Sequence, residues 1–290
     1  MSADNDRLLE RIGAGDTLRA LSLLQPESGN GDPRLALNRA LYGAGGEEDE
    51  ERIRAADQQH RAALSQAQGA ERATLLYNLG CFALRQDDVV EARMRFGEVL
   101  ELEPGHLMAR HNLACAAELL AETEEARREY RAVLAQNPHA ALSRLNLAQL
   151  ALQDGEYEEG LEHLETLVAE QSGNMGVLLY LCRGLILRGS AADLERVLSL
   201  VGPGSEAGRY VDLQECRAFA LFQLGDLEDA EAAFQALLDS DADNAFALAG
   251  MIKLLGQRGD FDALHAYAER LHAVAPGDAT AKLIQELESA

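Results

Sequence analysis

Large, small and polar positions recur along this chain with one fixed period, every thirty-fourth position. Leu79-Gly80, Leu113-Ala114 and Leu147-Ala148 fall in step, as do Ala92, Ala126 and Gly160, and then Phe96, Tyr130 and Leu164. Pro104 and Pro138 each follow their aromatic residue by eight positions. Within one period, Leu76, Leu79, Gly80 and Ala83 keep the three- and four-residue spacing of a single helix face. A fixed period of this length predicts one supersecondary unit stacked on copies of itself, each burying a face that its neighbour would otherwise expose. Gly80, Ala92, Ala114, Ala126 and Ala148 then belong where helices cross, because a larger side chain would hold the backbones apart.

The unit 73–106 reads Leu76-x2-Leu79-Gly80-x2-Ala83, then Ala92-x3-Phe96, then Pro104. This resembles the tetratricopeptide repeat. The resemblance implies an all-α fold: antiparallel helix pairs stacked into a right-handed superhelical solenoid, with the first helices lining a concave groove. Residues 1–72 read as a helical region with degenerate repeats, in which Asp32-Pro33 is a helix start. Six units fill 73–278, with 175–210 divergent and carrying Gly202-Pro203-Gly204-Ser205 as a loop. That stretch is either a joint between two lobes or a repeat that drifted without consequence. Residues 279–290 are expected to form a capping helix over the last seam.

Composition narrows the classes of function. The polar, acidic start Met1-Ser2-Ala3-Asp4-Asn5-Asp6 does not read as an export signal, and no apolar run reaches the ~18 residues of a membrane span. A cytoplasmic protein with no membrane insertion is the expectation. Cys81 and Cys115 are one period apart, as are Cys182 and Cys216. Equivalent residues of adjacent repeats lie beyond the ~7 Å Cα separation that a disulfide tolerates, so all four read as free thiols. Acidic residues outnumber basic ones 49 to 26, a net charge of −23. That excess repels nucleic acid and anionic lipid. It fits a basic partner, but two plainer readings compete with it. Glu122, Glu124, Glu125, Glu156, Glu158 and Glu159 fall where second helices start, and carboxylates favour that end of the helix dipole. Lysine is also confined to Lys253 and Lys282, an arginine-rich usage suggesting a high-GC bacterial genome or a halophile.

The candidate binding chemistry is a column of amides. Asn78, Asn112 and Asn146 hold the same place in three successive repeats. In the family this resembles, that place faces the groove, and asparagine can grip a peptide bond with both its acceptor and its donors. The alternative is that the same side chains hydrogen-bond neighbouring helices. The column stops at Tyr180, Cys216 and Gly250. Helical spacing sets Tyr77, Met108, His111, Cys115, Leu142, Leu145 and Gln149 beside it, with His111 offering a pH-sensitive contact. The peptide-binding groove is therefore assigned to Asn78, Asn112, Asn146, Tyr77, Met108, His111, Leu145 and Gln149.

The chain has no Walker loop, no dinucleotide fingerprint, no HExxH, no G-x-S-x-G and no EF-hand spacing. No enzyme activity, cofactor or metal is expected. Two functions remain: an adaptor or chaperone-like module holding an extended segment of another protein, or a self-associating structural scaffold.

Overall fold

The computed structural model describes residues 47–277 and Ile284. The expected helix starts before residue 47 and the capping helix at 279–290 lie outside the described residues. The described residues form thirteen α-helices and one short 3-10 turn, with no strand. The chain divides into two compact units, one ending at Ser172 and the other beginning at Gly173.

In the first unit the helices are α1 (Glu47–Leu64), α2 (Gly69–Arg85), α3 (Val89–Leu102), α4 (Leu107–Leu119), α5 (Thr123–Gln136), α6 (Ala141–Gln153) and α7 (Tyr157–Glu170). Each packs on the next: α2 with α3, α4 with α5 and α6 with α7 form the pairs, while α3 with α4 and α5 with α6 join one pair to the next. This is the all-α stack of helix pairs that the resemblance implies. Phe96 and Tyr130 are fully buried, and around them pack Leu76, Val99, Leu147 and Leu150. A Cβ on Gly80 would stand 2.6 Å from the Phe96 ring, which is why the smallest residue belongs there. The turn inside each pair needs one left-handed residue. Asp87 (φ 60°), Ala121 (φ 59°) and Gly155 (φ 78°) fill it, each one period from the next.

The second unit contains α8 (Met175–Arg188), α9 (Ala191–Leu200), the 3-10 turn Ala207–Arg209, α10 (Val211–Leu224), α11 (Leu227–Ser240), α12 (Ala245–Arg258) and α13 (Phe261–Val274). Helix α8 packs against both α9 and α10. Ser190 and Asp193 cap α9 reciprocally, and Arg188 binds the Asp193 carboxylate at 2.5 and 2.8 Å. The divergent stretch is thus a short second helix followed by a loop knitted by its own bonds. Ser205 Oγ donates to the Gly202 carbonyl at 2.8 Å, and the Gly208 N–H donates to Ser205 Oγ at 3.0 Å. Phe234 is fully buried among Ala218, Leu237, Leu248 and Met251.

Candidate functional site

The first helices α2, α4 and α6 bring the asparagine column together. Asn78 Nδ2 lies 3.1 Å from His60 Nε2 on α1. Asn112, only 2% exposed, donates to Tyr77 Oη at 3.3 Å and points its amide at Cys81 Sγ at 3.8 Å. Asn146 donates to Tyr130 Oη at 2.9 Å and reaches Cys115 Sγ at 3.7 Å. Every amide nitrogen therefore reaches back to the preceding helices and ties one repeat to the next. Among the described residues no donor of the chain bonds the three Oδ1 atoms. Of the two arms expected to grip a ligand, one is committed inside the fold.

The column does not run on into the second unit, where Tyr180, Cys216 and Gly250 take its places. Tyr130 presents a hydroxyl to Asn146, whereas Phe234, at the matching place in the second unit, has none. Gly250 stands where the asparagine would be, and a Cβ there would come 2.3 Å from the Phe234 ring.

His111 departs from its expected role. Its ring is 7% exposed, with Nδ1 2.8 Å from Ser143 Oγ and Nε2 3.5 Å from Cys115 Sγ. Burial without a counter-charge pushes its pKa down to about 4. It is a neutral core ring and offers no pH-sensitive surface near neutrality. Burial likewise drives the Cys115 thiol up to about 12 and the Tyr77 hydroxyl up to about 12. A neutral thiol beside a neutral imidazole cannot act as an activated nucleophile.

The other assigned residues differ in reach. Met108 is 54% exposed, and Leu142, which follows it by one repeat, is 62% exposed. Leu145, Gln149 and Tyr77 are half-buried. Tyr77 stacks on His106 with ring centres 5.0 Å apart. On the helices that carry the amide column, the unit thus offers Met108 and Leu142 as bare apolar side chains.

Sequence reading did not find the arginine ladder on the second helices. Arg61 of α1 binds Glu91 of α3 at 2.7 Å, and Arg93 of α3 binds Glu122 and Glu125 at 3.0 and 2.6 Å. Arg127 of α5 binds Asp154 and Glu156 at 2.7 and 2.5 Å, and Arg131 binds Glu159 at 2.8 Å. The Arg127 side chain is 4% exposed. The acids at the starts of second helices do sit at the favourable dipole end, yet Glu122 and Glu156 make no side-chain cap bond. They face arginines one repeat earlier. The signal available in the sequence was the period itself, which separates Arg93 from Arg127 and Glu125 from Glu159.

Comparison with known proteins agrees with this architecture. Tetratricopeptide repeat models match residues 111–174 and 217–244. The chain carries tetratricopeptide repeats. A tetratricopeptide repeat protein from Parabacteroides merdae superposes with a TM-score of 0.59 at 18% identity, covering 89% of this chain and all of that one. The Pseudomonas aeruginosa pilF protein superposes at 0.55 with 20% identity, over 75% of this chain and 96% of its own. In the Cut9–Hcn1 assembly the values are 0.56 and 16%, over 98% of this chain and 54% of the other. At such identities the likeness is one of fold. No curated protein matches the chain. Among the described residues no helix is long and apolar enough to cross a membrane, and no group of His, Cys, Asp or Glu is placed to hold a metal.

Proposed function

We propose that the first unit is a protein-interaction module, adaptor or chaperone-like, that holds an extended segment of another protein along α2, α4 and α6. The observation that carries this reading is the pair Met108 and Leu142, large apolar side chains left more than half exposed one repeat apart. In a helix stack such side chains normally close a seam; here they form steps beside the amide column. An extended segment in the polyproline II conformation rises ~3.1 Å per residue with three residues per turn, so every third side chain returns to the same face about one helix spacing (~8–10 Å) along and can settle on successive steps. Its backbone N–H groups then donate to the Oδ1 atoms of Asn78, Asn112 and Asn146, whose nitrogens are already held. Tyr77, Leu145 and Gln149 line the same strip. His111 supports it from within and makes no contact with the guest.

The test is site-specific photocrosslinking in cells of the source organism, with benzoylphenylalanine at Met108 and at Leu142 and a control at Val90 on α3. The reading expects one partner protein crosslinked through one linear segment from both groove positions and not from Val90. Crosslinks only to a second copy of the chain favour the scaffold instead. Crosslinks equal at all three positions would sink the groove.

A further inference from the structure

The second unit presents a different face. Helices α8, α10 and α12 are each fourteen residues long and end on Gly189, Gly225 and Gly259 in the left-handed conformation. That shared frame sets Arg183, Phe219 and Lys253 at the same place, the ninth residue of each helix. In the first unit the corresponding residues are Cys81, Cys115 and Gln149, all uncharged.

The three side chains share one register on successive helices of the second unit. Lys253 Nζ lies 5.9 Å above the Phe219 ring. Arg183 lies against the thiol of Cys216, which is one turn before Phe219 on α10. Phe246 of α12, 37% exposed, leans on Phe219 with ring centres 6.3 Å apart. Acids near this face are engaged: Asp212 stands 3.8 Å from Arg183, and Glu215 accepts from Asn244 Nδ2 at 3.0 Å. Among the described residues Lys253 has no carboxylate within 4 Å. An aromatic ring attracts an ammonium group but takes none of its hydrogen-bond donors. In a chain of net charge −23, a lysine left beside two phenylalanines and an arginine held only loosely is a departure from every other part of the surface described above.

We propose that this face is a second binding site, for a partner peptide in which acidic side chains alternate with aromatic or aliphatic ones. A carboxylate of the guest bonds Lys253 and another draws on Arg183, while the apolar side chain between them lies on the Phe219–Phe246 pair. The rest of the protein repels such a peptide, so local cations are the condition for holding it. Recognition here uses charge and aromatic contact, whereas the first unit offers amides and aliphatic steps, and the two proposals stand or fall separately.

The experiment is display selection of random heptapeptides on the immobilised full-length chain, followed by fluorescence anisotropy of the enriched peptides. Enrichment of Asp or Glu together with Phe, Tyr or Leu is expected. The double variant Arg183→Gln/Lys253→Gln is expected to weaken the synthesised peptides at least tenfold, as is Phe219→Ala. Met108→Ala/Leu142→Ala should leave them unaffected. Enrichment of basic or uncharged peptides overturns the proposal, as does unchanged binding by the double variant or loss of binding in the first-unit variant. Failure to enrich any peptide overturns it as well. The Arg183→Gln/Lys253→Gln variant keeps helix-forming residues and removes no packed ring, so circular dichroism should show wild-type melting for it.

Discussion

His111 shows how far burial alone can move a residue from its sequence-based reading. Its pKa falls from the usual imidazole range to about 4 because the charged ring would be dehydrated without a compensating anion. The unfolded chain takes up the proton near pH 6.5 and the folded one only near 4, so stability is fully present above ~6.5 and drains as pH falls between the two. Integrated over that interval, the loss is about 3 kcal/mol. His111→Gln should remove this part of the decline. Urea titrations at pH 7.5 and 4.5 on both proteins measure it, and equal losses in both would show that the ring titrates freely. The turn residues support a second prediction. Ala121 and Gly155 occupy the same left-handed place, which costs a non-glycine residue ~1–2 kcal/mol. No atom lies within 4 Å of the place a Cβ on Gly155 would take, so Gly155→Ala should cost about 1 kcal/mol through backbone strain alone. Ala121→Gly should be neutral or stabilising, although glycine normally loosens a chain. Thermal melts of the two variants decide this, and parallel losses would refute it.

At the scale of the element, the asparagines act first as ties between helices. Asn146→Ala should lower stability by ~1 kcal/mol, and so should Tyr130→Phe. If the 2.9 Å bond between them is the main term, the double variant should lose clearly less than the sum of the two. Strict additivity in a denaturant-measured double-mutant cycle would mean that the two side chains act independently. The period was legible in the sequence because helix packing repeats small and large residues at fixed intervals. Gly80 against Phe96 follows from it directly. The direction of the amides was not legible: an asparagine on a groove face looks the same whether its nitrogen turns outward or back onto Tyr77 or Tyr130. Nor was the role of Glu125 and Glu159, since their arginines belong to the preceding repeat and only the stacked helices bring them together.

At the scale of the whole molecule, repulsion and attraction between charges respond to salt in opposite senses. The surplus of 23 negative charges favours expansion, while the arginine ladder holds repeats of the first unit together. Partly exposed pairs of this kind contribute ~0.2–1 kcal/mol each. Screening shortens from about 10 Å at 0.1 M to about 3 Å at 1 M salt, and Arg127, being buried, is the least affected. The repulsion should therefore fade more than the ladder, and the melting temperature should rise with sodium chloride. A fall in melting temperature across that range would show that the ladder outweighs the surplus. The ladder also bears on how such a chain can change length. Arg93 meets Glu122 and Glu125, and Arg127 meets Glu156 and Glu159, in the same register. A tandem copy of residues 107–140 would set the first Arg127 against the second Glu122 and Glu125. It would also set the first Tyr130 against the second Asn112, where Asn146 now binds. The copied segment brings both halves of each bond, so the first unit is built to be lengthened by duplication without inventing a new interface.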